Sequence, residues 1–431
     1  MAVVHPFRGI RYNLKAVRDL SLVVTQPYDR IGPREMEAYL KRSPYNFVRL
    51  IGGKTPPQDE GDYARRAELF QAWLRKRILL QDPRPGIYVY HTHFTHDGER
   101  FVRQGLIALL DLQESRAKAH ERTLRGPKED RLKLFRATEA HLEHIFLLYR
   151  DPERRATRAV EQAIAGRAPD MEARDDFGNA HLVWYIPDEK AIQTVQETLA
   201  PLDLYIADGH HRFETARAFM QECLDRGWRP VGPESFTALP VTLVNAAEPG
   251  CVIRPTPRVV HSLPGFDLDR FLTDVASGFR VDPIGSLAEA KQRLRAGLGR
   301  NVFVAYAGRR FWALSLRPDA DLDELVPGDR SPAWKRLDVA ILHKAILERW
   351  LGIDEEALAR QTNVDYTHTA EEAVAAVDEG HGQIAFLLNP TRVEEVMALA
   401  DHGEPMPQKS TDFYPKLLSG LVAMKMEIEK P

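Results

Sequence analysis

Residues 204–215 read Leu-Tyr-Ile-Ala-Asp-Gly-His-His-Arg-Phe-Glu-Thr, a run whose residue types suit the binding of an anion. The apolar stretch Leu204 to Ala207 is strand-like and stops at Asp208-Gly209, which are turn residues. After the break, apolar residues recur at Phe213, Ala216, Met220 and Cys223, which is helical spacing. The first N–H groups of a helix have no partner within it, and the helix dipole favours negative charge in front of them. His210, His211 and Arg212 add side-chain donors, so a phosphate would be well held there. The plainer reading is an Asp-Gly turn and a helix start with histidines present by coincidence. Both readings stand at this point.

Three other clusters hold reactive types. In the first, His120-Glu121-Arg122-Thr123 precedes Lys128-Glu129-Asp130-Arg131. A glutamate in a polar loop can act as general base toward an alcohol. Lys128 and Arg131 could neutralise phosphate charge, and Asp130 could hold a metal ion. A solvated, charged loop leading into the next helix explains the same residues. In the second, Met406-Pro407-Gln408-Lys409-Ser410-Thr411 continues to Tyr414-Pro415-Lys416. Lys409, Ser410, Thr411 and Lys416 are compatible with the rim of an anion site, or with an ordinary Pro-flanked loop. The third is His91-Thr92-His93-Phe94-Thr95-His96. His91 and His93 share one face of a strand, but no third zinc ligand stands near them, so they read as the polar face of a hairpin. His141 and His144 form a similar weak pair. Phosphate-loop, H-E-x-x-H and G-x-S-x-G patterns do not occur.

Composition bounds the function. The 431 residues are 44% hydrophobic and 28% charged, enough for two or three domains with proper cores. The net charge of -3 and the lack of a long basic block argue against nucleic acid as the partner. Cys223 and Cys251 are the two cysteines, too few for a disulfide framework or a Cys-rich zinc site. The opening MAVVHPFRGIRYN does not read as a signal peptide, and no apolar run approaches the about 18 residues of a membrane span. A cytoplasmic, soluble protein is expected.

The elements that must position these clusters alternate irregularly, which predicts an α+β fold with a mixed sheet. FRGIRYN and NFVRLI read as strands, and Arg34 to Lys41 and Tyr63 to Leu80 as helices. Gly86 to Leu112 reads as a hairpin turning at Asp97-Gly98. A helix is expected from about Leu132, strands at Ile145 to Tyr149, His181 to Ile186 and Leu239 to Asn245, and a helix from about Asp188 to Thr198. The run Ala246 to Pro257, with three prolines, is the candidate boundary. Beyond it, a hairpin spans Asn301 to Leu316. Helices cover Trp334 to Leu351 and about Thr369 to Asp378, and a strand (QIAFLLN) and a helix (TRVEEVMALADHG) follow. The expected division is 1–104, 105–245 and 246–431.

Five motifs together, PFRGIRYN, VVTQPYDRI, HERTLRGPKEDR, YIADGHHRFETA and NPTRVEEVMALADHGEPMPQKSTDFYPKLLSGL, resemble a bacterial and archaeal family. It is the domain-of-unknown-function family numbered one thousand and fifteen, and the resemblance runs from about Pro6 to Met424. The chain departs from that family at Pro255-Thr256-Pro257-Arg258, where the family tends to carry P-T-H-R. More distantly, Asp208 to Arg212 resemble the phosphate-binding motif of the ParB/sulfiredoxin superfamily, over about residues 105–245. That superfamily includes free-serine kinases, so the resemblance implies a ParB/sulfiredoxin-like core. It also implies a nucleotide (ATP or ADP) with Mg²⁺ as cofactors, and phosphoryl transfer to a small hydroxy compound, serine or phosphoserine favoured. By its H-E context Glu121 would be the base, joined by His210. Asp208, Gly209, His211, Arg212, Lys128 and Arg131 would bind phosphate or nucleotide. Asp208 or Asp130 would bridge to the metal, and Thr123, Lys409, Ser410, Thr411 and Lys416 would form the substrate rim. The same resemblance leaves a nucleotide-gated switch of the ParB type, or a phosphoester hydrolase, as alternatives.

Overall fold

The computed structural model describes residues 1–121 and 125–431, the side chains of 125–127 excepted. Compactness divides the chain into two units. The first comprises Met1–Ala119, Thr123–Val252 and Pro415–Pro431; the second comprises His120–Arg122 and Ile253–Tyr414.

The first unit is built on a nine-stranded mixed sheet. Its order is Ala117–Lys118, Leu204–Asp208, Ile145–Tyr149, Ala238–Asn245, Glu99–Asp111, Ile87–His96, Ala180–Ile186 and Met171–Arg174, with Val4–His5 also on Glu99–Asp111. The central strands Ile145–Tyr149 and Ala238–Asn245 are buried along their whole length. That is why they read as unbroken apolar runs rather than alternating ones. They run parallel to each other, and each has an antiparallel neighbour on its other side. The long hairpin turns at Asp97 and Gly98, with φ of 49° and 81°. Positive φ at both central residues matches the twist of the strands and is why Asp-Gly stands there. The C-terminal segment returns to this core, where Leu418, Leu421, Val422, Ala423, Met424 and Met426 are buried. The α+β expectation is correct.

Several local expectations fail, and the helix expected from Tyr63 to Leu80 ends at Arg75, with Leu79–Gln81 a strand. Asn46 to Ile51 is not a strand: Val48–Ile51 is a single helical turn stopped by Gly52 at φ 74°. A run of six apolar-rich residues does not distinguish strand from helix, and burial of Phe47, Val48, Leu50 and Ile51 satisfies either. The helix expected from Leu132 begins earlier, at Arg125, and ends at Thr138.

The second unit carries a six-stranded antiparallel sheet, ordered Phe279–Ile284, Arg310–Leu316, Val302–Ala307, Ile384–Leu388, Arg258–Val260 and Val364–Tyr366. The expected helix from Trp334 to Leu351 is broken into Pro332–Lys335, Asp338–Ile341 and a π-helical stretch, Leu342–Trp350. π-helical turns are rare and cluster at functional sites. Among the described residues no helix is long and apolar enough to cross a membrane.

Candidate functional site

In the first unit, Asp208 ends the strand Leu204–Asp208 and Gly209 caps the helix His210–Asp225. The strand slips register against Ile145–Tyr149 between Ile206 and Asp208, an irregularity that re-aims the terminal side chain. Gly209 sits at φ 92°, a region that side chains with a Cβ rarely adopt. A Cβ there would also lie 3.2 Å from the Arg212 guanidinium and from the Ile145 side chain. One Asp208 oxygen accepts the Gly209 N–H at 2.8 Å, and the other accepts Lys416 Nζ at 3.0 Å. Burial raises the Asp208 carboxyl, but Lys416, Arg212 and Arg30 outweigh it and hold the group below the usual carboxylate range.

His210 is buried, and that burial, with His211 and Lys416 beside it, pushes its pKa down to about 4. It is therefore a neutral hydrogen-bonding group at pH 7. Burial lowers His211 too. Arg212 is buried, and its Nη1 donates to the His144 carbonyl at 2.7 Å and lies 3.9 Å from Glu143. Burial opposes its charge, yet Glu143, Asp29 and Asp208 keep it firmly cationic. Glu143 in turn accepts from the Tyr28 N–H and from Ser419 Oγ. The head of the helix is thus fixed from three distant segments: the Tyr28 loop, Glu143 and the C-terminal return.

Other expected residues of this unit have different duties. Asp130 accepts the Tyr63 hydroxyl at 2.6 Å on one oxygen and Arg131 Nε and Nη2 at 2.8 and 2.5 Å on the other. Arg131 also donates to the Ile51 carbonyl and covers the Tyr28 ring at 4.1 Å. Both are buried, so the expected metal ligand at Asp130 and phosphate binder at Arg131 are replaced by an internal ion pair. The reason is physical: a buried guanidinium needs its donors satisfied, and the neighbouring carboxylate does this. Lys128 pairs with Glu214 on the same helix as the cradle. Thr123 lies outside the described residues. Among the described residues no cluster of three His, Cys, Asp or Glu could hold a metal ion, so the expected Mg²⁺ finds no ligand set among them.

The second unit joins two motifs far apart in sequence. His120 is buried; its carbonyl accepts the Met406 N–H at 2.7 Å, and its Nε2 lies 3.2 Å from Thr411 Oγ1. Glu121, half-buried, lines a cavity of about 230 Å³ with Arg330, His343, Lys344 and Gln408. Ser410 is inward: its Oγ donates to the Pro407 carbonyl, and its own carbonyl accepts Thr391 Oγ1. Lys409 is exposed at φ 57°, and its carbonyl accepts from Arg258 at 3.1 Å. Ser410 therefore shapes the loop, and Lys409 and Thr411 hold its ends.

Sequence reasoning missed Asp29, Arg30, Glu143 and Arg103 in the first unit. Asp29 and Arg30 lie within the VVTQPYDRI motif, which was a usable signal. Arg103 carried none. It is 2% exposed inside a hairpin strand, donates to the Pro415 carbonyl and stacks 5.0 Å over Phe146. Burial lowers its pKa; the Asp208 charge works against that. Arg258, His343, Lys344 and Arg330 of the second unit were missed as well.

The family described as "Protein of unknown function (DUF1015)" matches residues 4–340. No curated protein matches the chain. Among solved structures, a conserved hypothetical protein from Pyrococcus furiosus is 14% identical with a TM-score of 0.34; the match covers 75% of this chain and 95% of that one. A mutant free serine kinase in complex with AMP is 14% identical with a TM-score of 0.37, covering 74% and 92%. A mutant free serine kinase in complex with ADP is 13% identical, also at 0.37, covering 74% and 92%.

Proposed function

The chain belongs to the DUF1015 family, and for it we propose a nucleotide-dependent phosphotransferase that acts on a small hydroxy compound, serine or phosphoserine favoured. One observation carries the reading. The start of the 16-residue helix His210–Asp225 is an Asp-Gly turn, with Gly209 at φ 92°, set among the cations Arg212, Lys416 and Arg30. N–H groups that have no partner within the helix, its positive dipole end and the nearby cations favour a phosphate.

In this reading residues 208–212 hold the phosphates, with neutral His210 as a hydrogen-bonding partner. Glu121 takes the proton of the substrate hydroxyl. The hydroxyl oxygen forms a bond to the terminal phosphorus of ATP, the bond from that phosphorus to the bridging oxygen breaks, and ADP leaves with the electron pair. With ADP as donor the leaving group is AMP. Such chemistry is positioning and charge neutralisation. The described residues form no ligand set for Mg²⁺.

The test uses purified protein, labelled ATP or ADP, and a panel of hydroxy amino acids. Glu121→Ala is expected to lower transfer by about 100-fold or more while leaving nucleotide affinity unchanged. Nucleotide binding with neither transfer nor hydrolysis would instead establish a switch. Release of inorganic phosphate from a phosphoester would establish a hydrolase. Absence of nucleotide binding sinks the reading.

A further inference from the structure

The cavity of the second unit has a feature that the transfer reaction does not use. Behind its wall stands Arg258, whose side chain is wholly buried. Its Nη1 donates to the Thr256 carbonyl, and its Nη2 donates to the Lys409 carbonyl and to His343 Nε2 at 3.2 Å. Its Nε has no hydrogen-bond partner, and its electrostatic neighbour is Tyr366, whose hydroxyl is likewise without one. Among the described residues no carboxylate pairs with it. Its guanidinium lies 5.4 Å over the Tyr366 ring, but a buried cation without a carboxylate is still costly, and a nearby anion would relieve that cost.

His343 links this charge to the cavity. Because its Nε2 accepts from Arg258, the ring proton resides on Nδ1, which is left as the ring's donor, and His343 lines the cavity. Burial, reinforced by Arg258 and Lys344, keeps the ring neutral. The π-helical stretch Leu342–Trp350 sets His343 and Lys344 in adjacent positions on that wall. Lys344 is already paired with Glu348 and Glu355, at 2.8 and 2.9 Å. Arg330 also lines the cavity, lies over the Trp334 ring at 5.0 Å, and has its nearest carboxylate, Glu404, at 4.0 Å. Arg330 and His343 are thus donors with capacity left, and they share the cavity with the carboxylates of Glu121 and Glu355.

We propose that this cavity recognises the carboxylate of a small zwitterionic molecule, with Arg330 and the Nδ1–H of His343 as its donors and Arg258 as the positioning charge behind His343. A guanidinium matches a planar carboxylate. A phosphoryl group fits less well, because its second charge would face Glu121 and Glu355. The proposal rests on the reading of Glu121 as part of the substrate site, and it assigns the residues that would hold the carboxylate of the favoured substrate.

Direct binding tests it without requiring catalysis. Titration calorimetry of the full chain compares L-serine, ethanolamine, which lacks the carboxylate, and O-phosphoethanolamine, which carries a phosphoryl group instead. L-Serine is expected to bind about tenfold or more tightly than either. His343→Phe and Arg330→Gln should each remove most of that advantage while leaving ethanolamine affinity unchanged. Arg258→Met should do the same, a split that a general loss of structure would not produce. Arg330 is partly exposed, so its variant keeps the test sound if a core variant fails to fold. Equal affinity for L-serine and ethanolamine, tighter binding of O-phosphoethanolamine, or no binding of L-serine overturns the proposal. Carboxylate-dependent binding without any phosphoryl transfer supports it and overturns the phosphotransferase reading alone. Transfer to ethanolamine as readily as to L-serine does the reverse.

Discussion

At the scale of single residues, position 209 shows what a local signal can and cannot convey. Asp208-Gly209 is readable as a turn, because only glycine adopts φ 92° without cost. Gly209→Ala is expected to destabilise the first unit by about 1–3 kcal/mol, since alanine is strained at that φ and its methyl meets Arg212 and Ile145 at 3.2 Å. Chemical denaturation checks the stability, and titration with ATP checks the accompanying loss of affinity; an unchanged affinity removes the turn from the phosphate site. The partner of Asp208 was not readable. Lys416 stands 208 positions later, and nothing in either local sequence announces the other. Asp130 and Arg131 show the converse error. Adjacent opposite charges before a helix resemble a phosphate and metal site, but burial turned them toward each other and toward Tyr63.

Elements decide how such residues are held. The segment carrying Lys409 to Thr411 is a loop in sequence, yet hydrogen bonds to His120, Arg258 and Thr391 give it a defined shape. Thr411→Val removes the hydroxyl beside His120 Nε2. It is expected to cost about 1 kcal/mol and, if Glu121 acts in transfer, to lower kcat more than it raises KM. Urea denaturation with steady-state kinetics measures both; an unchanged kcat means that the loop does not orient Glu121. Period alone predicted one helix from Trp334 to Leu351. The structure breaks it at Arg336 and Leu337 and continues it as a π-helix, which places His343 and Lys344 at the cavity. Apolar spacing carries no signal for that change of pitch, because both helical forms bury Leu342, Ala345, Ile346 and Leu347.

Buried histidines of both units resist protonation, while one buried carboxylate of the second unit responds to acid the other way. In the first, burial holds His141 at about 3 and His144 and His210 at about 4. The unfolded chain binds protons at these positions from about pH 6.5 downward, while the folded chain does not. Their contribution is complete above that pH and is lost as the pH falls toward the folded values. In the second unit, burial raises Asp338 to about 6 despite the hydrogen bond from Asn301. Its contribution is present below the unfolded value of about 3.9 and is lost as the pH rises through 6. Asp338→Asn is therefore expected to stabilise the second unit by about 1–2 kcal/mol at pH 7.5 and by nothing at pH 4. Amide exchange between pH 7.5 and 5 should show protection of Leu204–Asp208 falling in the wild type. A variant no more stable than wild type at pH 7.5, or constant protection of that strand, refutes the corresponding assignment.

Much of the molecule was written in local pattern. The α+β class, the strand Leu204–Asp208, the helix after it and the hairpin at Asp97-Gly98 follow from periodicity and turn chemistry, which act over a few residues. Segments 1–104 and 105–245 share one sheet, which no local pattern reveals. Tertiary structure alone decided which polar residues face a site and which satisfy one another. It buried Asp130 and Arg131 as a pair, turned Arg212 toward His144, brought Lys416 to Asp208, and set Arg258 behind His343. The physical reason is that burial and pairing set the state of a charged group, and both depend on segments distant in the chain, 68 residues for Arg212 and His144 and 208 for Asp208 and Lys416.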